Sequence, residues 1–444
     1  MTTSETQTSP RERGREFRYV GFDLTPAGAL TCRYDLDGES FDERVELSAD
    51  GDYTSAAASA AARLVWLLAG VSYYKTGAPP RIVVEGGLSD LERDFLRDLY
   101  VEGLAEFAYR TGLDVSDVVI EGERREAAPT PAATDPKRPL IPFGGGIDSI
   151  VVVDETLRHQ PDAALFVANT SDVLFAPIED TAAVTGLPVV RARRHLDEKV
   201  LRSRERGYFN GHVPVTGVLS AVAVLAAVAQ GRGSVVMSNE HSASEPTALR
   251  ANGVLVNHQW SKSLAFEQRF RRLLGETLTG VDYYSALRPY SELWVAERFA
   301  ALPAYHRAFR SCNKAFYVNP ESRLSEWCGE CDKCCFIDLI LAPYLSRDEL
   351  DAIFSGREPL EQARLEGSFR DLLGEPGRTK PLECVGDEGE CRRAVLLAAA
   401  REDRQGNPVL TALVEYVGGS GLPVPSVEAL LSAQGEHFVP GIDR

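Results

Sequence analysis

Leu140-Ile141-Pro142-Phe143, then Gly144-Gly145-Gly146-Ile147-Asp148-Ser149, then the apolar-periodic run Ile150 to Arg158, reads as a strand, a glycine turn and a helix. Three consecutive glycines let the backbone turn sharply and approach an anion closely. The helix behind them aims free N–H groups and its positive dipole end at the same point. A phosphate fits there. The competing reading is a plain strand-to-helix turn, and the stretch is neither a Walker loop, lacking Gly-Lys-Ser/Thr, nor a Rossmann G-x-G-x-x-G.

Outward from this loop, short apolar runs alternate with helical patterns: Ala164 to Ala168, Val189 to Ala192 and Val235 to Ser238 read as further strands. Such alternation predicts an α/β fold with a parallel sheet covered on both faces and ligands at the C-terminal strand ends. Asn169 and Asn239-Glu240 fall at those ends. Upstream, Phe17 to Leu47 reads as antiparallel strands around Pro26-Ala27-Gly28 and Asp37-Gly38. Helices follow at Ser55 to Ala69 and at Ser89 through Tyr109, where Glu92 completes a capping box, and Arg81 to Glu85 is a strand between them. Four prolines between Glu121 and Pro139 mark a linker. The expected organisation is an N-terminal α+β domain over 1–125, a linker at 126–139, an α/β core over 140–310, a cysteine knuckle over 311–345 and a mostly helical region over 346–444.

A length of 444 residues corresponds to about three domains of about 150 residues. With 44% apolar and 25% charged residues the chain has globular composition. Its net charge of -17 argues against nucleic acid or an anionic membrane as the main partner. Oligomeric state is not legible in it. The polar stretch Met1 to Phe17 has no apolar core of a secretory signal, which predicts a cytoplasmic protein. The longest apolar run, Val213 to Ala229, predicts a buried helix rather than a membrane span.

Cys328-Gly329-Glu330-Cys331-Asp332-Lys333-Cys334 places three cysteines at intervals of three, and Cys312 lies sixteen residues upstream. Tetrahedral Zn²⁺ takes four thiolates at about 2.3 Å, which such a knuckle plus one remote cysteine supplies. An iron–sulfur cluster uses the same ligands, and a Cys331/Cys334 redox pair or buried thiols are the remaining readings. Cys335 would point elsewhere.

The glycine loop resembles the Ser-Gly-Gly-x-Asp-Ser loop of the N-type ATP pyrophosphatases, with Gly144 in place of the first serine. That substitution removes one hydroxyl contact and leaves the backbone donors. The resemblance implies an adenine-nucleotide alpha-hydrolase-like (PP-loop) core, with Asn169 facing adenosine and Gly211-His212-Val213-Pro214 opening the apolar helix. The cysteine spacing is similar to the structural zinc site of the deazaguanine synthases in that superfamily. Several further stretches stand in an order that resembles the UDP-N-acetylmuramoyl-L-alanyl-L-glutamate epimerases, over about residues 60 to 400. They are Ser72-Tyr73-Tyr74-Lys75, Gly103 to Tyr109, Asn257-His258-Gln259-Trp260-Ser261-Lys262-Ser263 with the Arg-rich helix behind it, Trp327 to Pro343, and Glu383-Cys384-Val385-Gly386.

That resemblance implies inversion of the terminal L-Glu of UDP-MurNAc-L-Ala-L-Glu, with ATP, Mg²⁺ and a structural Zn²⁺. Gly144, Gly145, Gly146 and Ser149 would hold pyrophosphate, with Asn169, Asn239 and Glu240 as further nucleotide-site residues. Asp148 would coordinate Mg²⁺ or order the loop. Lys262 would neutralise phosphate or enolate charge, and His258 and Cys384 are candidate proton carriers, each with a purely structural alternative. Glu383 and Cys391 are further candidates. Arg269, Arg271 and Arg272 would either meet the UDP diphosphate or form a solvated helix face. Two other readings stand beside this one: another adenylating enzyme, deazaguanine synthase-like or tRNA-modifying, and a zinc-stabilised binding protein without catalysis.

Overall fold

The computed structural model describes residues 12–170, 173–245, 248–249, 255–317, 320–378, 380–381 and 383–442. Most of the polar N-terminal stretch read for a signal lies outside them. Ten strands form one sheet: β1 Glu16–Leu24, β2 Ala29–Leu36, β3 Glu39–Leu47, β4 Arg81–Val84, β5 Val119–Glu121, β6 Asp135–Pro142, β7 Ala164–Asn169, β8 Val189–His195, β9 Arg232–Met237 and β10 Asp282–Ser285. Their spatial order is β10-β9-β6-β7-β8-β3-β2-β1-β4-β5. The first five of that row are mutually parallel. This parallel block has the α/β architecture that alternating strands and helices predict.

Alternation within the strands explains the two-sided core. Leu140, Phe166 and Val235 face one apolar cluster with helix α1 (Ala56–Ala69), whereas Ile141, Leu165 and Val236 face a second one containing much of the C-terminal helical region. Strands buried on both faces need apolar residues at every position, which is why they read as uninterrupted runs. Between β2 and β3, Asp37 and Gly38 have φ of 54° and 92°, and Leu36 pairs with Glu39. This two-residue hairpin has both central residues left-handed, as a primed turn matching strand twist requires.

The boundary expected at 126–139 is not a break in the fold. Thr130–Pro131 pairs with Leu278–Thr279, and β6 begins at Asp135 rather than Leu140. The N-terminal strands also join the parallel block edge to edge, through antiparallel pairing of Arg44–Leu47 with Ala192–His195. Proline content signalled an exposed connection, but pairing at the edges satisfies backbone groups that a free linker would leave to water.

The helix expected from Ser89 to Tyr109 is two helices, α2 (Asp90–Val101) and α3 (Ala105–Thr111). The Ser89/Glu92 capping box is present. At the break, a Cβ on Gly103 would lie 2.9 Å from Pro214 and 3.2 Å from Trp260, so glycine permits a close crossing that a continuous helix could not make. The apolar stretch Ala56–Tyr74, 19 residues, passes a membrane-span test on length and composition, yet 78% of its window is buried inside the fold. It packs against α6 (Val215–Ala229), the apolar run expected to be a buried helix, which has twelve buried residues from Gly217 to Ala229.

Candidate active site

Helix α4 (Ile147–Leu157) starts directly behind the glycine loop, with Gly146 at its N-cap and no side chain satisfying its first N–H groups. Gly145 has φ of +73°, and a Cβ there would lie 3.0 Å from the Pro177 carbonyl oxygen and 3.2 Å from the Ile178 Cα, on helix α5 (Ala176–Thr185). Only glycine fits both the conformation and the gap. Ser149 Oγ donates to the Gly146 carbonyl at 3.0 Å and so ties the loop to the first turn.

The loop forms one wall of a cleft of about 520 Å³. Gly144, Gly146, Asp148, Ser149, Lys262, Glu383 and Cys384 all line it, and so do Arg310, Ser311, Asn313 and Lys333. Residues from four distant parts of the chain thus converge at the C-terminal end of β6. Lys262 Nζ donates to Cys384 Sγ at 3.0 Å, and Lys333 donates to the Cys384 carbonyl. Burial opposes the Lys262 charge, but Cys384, Asp148 and Glu240 outweigh it and hold the ammonium above its ordinary pKa.

Asp148 Oδ1 is buried without a hydrogen-bond partner among the described residues. Burial, aided by Glu240 and opposed by Lys333 and Lys262, pushes its carboxyl up to about 6. Helices α7 (Leu264–Thr277), α8 (Glu292–Ala300), α9 (Asp332–Leu341) and α10 (Glu388–Ala399) follow in the chain, and Glu292 at the start of α8 and Glu390 in α10 stand behind Asp148. Burial and neighbouring carboxylates raise Glu292 well above its usual range, and burial raises Glu390 to about 8. Asp148 and Glu240 thus act on Lys262, and Lys333 acts on both Asp148 and Glu292.

Asn169, Asn239 and Glu240 sit at or just beyond the C-terminal ends of β7 and β9 but do not line this cleft. Asn169 Oδ1 is buried without a partner among the described residues. Glu240 accepts from Ala243 N at 2.8 Å, capping a short turn, while its charge acts on Asp148 and Lys262. The Asn239 carbonyl accepts from Ser285 Oγ at 2.6 Å.

Beside the cleft, Glu106 Oε2 accepts from His258 Nδ1 and lies 3.6 Å from His212 Nδ1. The two rings are 4.5 Å apart, and Arg110 Nε donates to Glu106 Oε1 at 2.6 Å. Burial pushes the Glu106 carboxyl up, but His258, His212 and Arg110 outweigh it and hold it at about 2. Burial pushes His212 down to about 4, so that ring is neutral at pH 7. Glu383, in the cleft lining, has its carboxyl raised by burial, opposed by the charges of His258 and Lys333.

The sulfur atoms of Cys312, Cys328, Cys331 and Cys334 lie within 4.8 Å of one another. Cys328 and Cys334 are 3.6 Å apart and Cys331 and Cys334 3.4 Å, close to the roughly 3.8 Å between ligands of a tetrahedral ion with 2.3 Å bonds. The donor set fits Zn²⁺. Cys335 lies outside the group, buried with its thiol pushed up. Cys391 is also fully buried, away from the cleft lining. The cluster borders the cleft: Ser311, next to Cys312, has its Oγ 3.0 Å from where a Gly146 Cβ would stand, and Lys333 lies between two of the cysteines.

Arg269 pairs with Asp98 and Arg271 with Asp282, so both guanidinium groups already have protein partners. Sequence reading passed over Lys333, Arg310, Ser311, Asn313 and Glu292. Lys333 had a signal, its place inside the cysteine knuckle; the others had none, because only the fold brings them to the loop.

The sequence matches the family models of the MurL N-terminal domain over residues 8–286 and the MurL C-terminal domain over residues 308–423. It is 36% identical over 437 residues to the UDP-N-acetyl-alpha-D-muramoyl-L-alanyl-L-glutamate epimerase of Salinispora tropica, covering 96% of this chain and 93% of that protein. The protein of the same name from Xanthomonas oryzae pv. oryzae is 38% identical over 435 residues, 96% of this chain and 95% of its own. That from a Micromonospora species is 36% identical over 392 residues, 88% and 86%. Matches of this length, continuous through the glycine loop, the cysteine cluster and the Glu106–His258 pair, show that the chain belongs to the UDP-N-acetyl-α-D-muramoyl-L-alanyl-L-glutamate epimerase family.

Proposed function

We propose that this protein inverts the terminal L-Glu of UDP-MurNAc-L-Ala-L-Glu to D-Glu in cytoplasmic peptidoglycan precursor synthesis, through an acyl-adenylate that consumes ATP and releases AMP and pyrophosphate. The observation that carries this reading is the convergence, in one cleft, of a glycine loop, two lysines, an unpartnered carboxylate and a lysine-bound cysteine.

The chemical logic begins with the substrate. An ionised α-carboxylate makes the adjacent Cα proton very hard to remove, because the carbanion would add charge beside existing charge. Adenylation removes that charge and lets the acyl carbonyl accept the electrons. Within a PP-loop core, Gly144, Gly145, Gly146 and Ser149 would hold the pyrophosphate portion of ATP against the α4 N-terminus. Lys262 and Lys333 would neutralise the phosphates, and Lys262 also stands close enough to Cys384 to meet the developing enolate. Asn169, Asn239 and Glu240 would border the nucleotide.

Mg²⁺ fits Asp148, whose buried Oδ1 lacks a partner; bound there, it would supply positive charge to the phosphate oxygens. Zn²⁺ on the four cysteines would be structural, holding Ser311 and Lys333 at the loop. His258 and Cys384 are the proton carriers of this reading.

Purified protein with ATP, Mg²⁺ and UDP-MurNAc-L-Ala-L-Glu in D₂O should release AMP and yield the D-Glu product with deuterium at Cα. AMP release without inversion would sink the epimerase reading, and AMP formation stimulated by RNA would turn it toward tRNA modification.

A further inference from the structure

Inversion at a tetrahedral carbon needs a proton removed from one face and another delivered to the opposite face. Two side-chain pairs meet on the turn that carries His258 and Lys262, each completed by a residue from a different part of the chain. One is Lys262–Cys384, joined at 3.0 Å at the cleft wall. The other is Glu106–His258, with Glu106 on α3 and His258 four residues before Lys262 on the same tight turn. Between α2 and α3, Gly103 passes close to Trp260, two residues beyond His258: a Cβ there would lie 3.2 Å from the Trp260 ring.

We infer that these pairs serve opposite faces of the substrate Cα, with Cys384 as the base for L-Glu, His258 as the acid that completes D-Glu, and Glu106 as the residue that positions His258. The inference rests on the proposed function. The polarity of each pair decides its role. An ammonium donating to Cys384 sulfur presents that sulfur as an acceptor, while a carboxylate accepting from His258 Nδ1 holds the ring in place as a donor. Cys384 sulfur takes the Cα proton, and the C–H electron pair moves into the acyl carbonyl to form the enolate. The enolate electrons then form a new bond to the proton delivered by His258, and the carbonyl is restored. One proton leaves and one arrives; solvent exchange resets a protonated Cys384 and a neutral His258. Neutral His212, its ring tilted by 43° against that of His258, adds no competing positive charge.

The test separates adenylation from each proton transfer, using the full-length protein in D₂O. Substrate-dependent ATP–pyrophosphate exchange reads adenylation, deuterium in recovered L-substrate reads abstraction, and D-product reads inversion. Cys384→Ala and Cys384→Ser should keep ATP–pyrophosphate exchange but lose both deuterium uptake and D-product. His258→Asn should keep exchange and still wash deuterium into the L-isomer, through the exchanged hydrogens of the Lys262–Cys384 pair, while D-product falls by about 10²–10⁴-fold. Glu106→Gln should give the His258→Asn isotope pattern with kcat for inversion reduced at least about tenfold and KM little changed, and Glu106→Asp should recover part of it.

Inversion surviving in His258→Asn, deuterium uptake surviving in Cys384→Ala, or Glu106→Gln losing adenylation in proportion to inversion would each overturn the assignment. A second equivalent of metal lost specifically in His212→Gln and His258→Asn would overturn it too, by making the Glu106 group a metal site. Absence of substrate-dependent adenylation in the unaltered protein would instead refute the proposed function itself.

Discussion

Two buried charged regions of this protein are built on opposite plans. Where the N-terminal strands join the parallel block, Arg194 meets Glu43 through two bonds of 2.6 and 2.9 Å and also donates to Ser72 at 2.9 Å. Every partner there is supplied by the fold. In the cleft, Asp148 keeps a buried carboxyl oxygen without a partner among the described residues, and so does Glu292 behind it, although Lys262 and Lys333 line the same cleft. A paired buried charge specifies which strands join, whereas an unpaired one costs stability and is retained where a ligand completes it. The four cysteines follow the second plan, since four converging sulfur atoms are complete only around a cation.

Changes to the two plans should therefore have different signatures. The largest effect is expected at the cysteines. Removing the metal by chelation, or Cys312→Ser, should unfold the 311–345 region and abolish AMP release, because binding of a structural zinc contributes about 10 kcal/mol or more to folding. Metal analysis should find about one equivalent of zinc per chain; a brown, visibly absorbing protein would indicate an iron–sulfur cluster instead.

Next comes Asp148→Asn, which should reduce AMP release by about 10³-fold or more without destabilising the protein. The Asp148 carboxyl is raised to about 6 from 3.8, so the folded state holds its proton longer than the unfolded chain. The resulting cost grows as pH rises from about 4 to 6 and is fully present above 6. Thermal melts at pH 7.5 should show Asp148→Asn to be more stable by about 1–2 kcal/mol. A loss of stability would mean that this carboxylate belongs to the first plan.

Glu43→Gln should do the reverse, costing about 3 kcal/mol by leaving the Arg194 charge uncompensated, while the folded fraction keeps its turnover. Denaturant titration alongside specific activity checks both. The smallest effect belongs to His212, whose folded pKa of about 4 lies below the ordinary 6.5. The unfolded chain takes up that proton first, so the stability of neutral His212 is present above pH 6.5 and is lost as pH falls toward 4. His212→Gln should flatten this acid limb by about 1–2 kcal/mol, after allowing for partial exposure.

Much of the parallel block was legible because its signals are local. Glycines at 144–146 directly after an apolar strand, alternating apolar runs and the Ser89/Glu92 cap each act within a few residues. The cysteine knuckle was legible for the same reason, three of its members lying within seven residues. The joining of the N-terminal strands to the parallel block was not legible, because edge pairing between β3 and β8 leaves little mark beyond an ordinary alternating pattern. Glu43 and Arg194 did offer one, as charges in otherwise apolar registers of their strands, but only their pairing gives it meaning. In the cleft, Lys262 and Cys384 could be singled out individually; their contact could not.

By itself, the sequence determined a strand–glycine–helix unit, two-sided burial of the parallel strands and a four-cysteine set, because backbone conformation, apolar period and ligand spacing are properties of short segments. The tertiary structure alone decided that ten strands form one sheet, that Lys333 and Ser311 reach the glycine loop, and that Glu106 meets His258 beside the Lys262–Cys384 pair. Glu106 and His258 alone are 152 positions apart, and such juxtapositions depend on how whole layers pack rather than on any preference of the residues themselves.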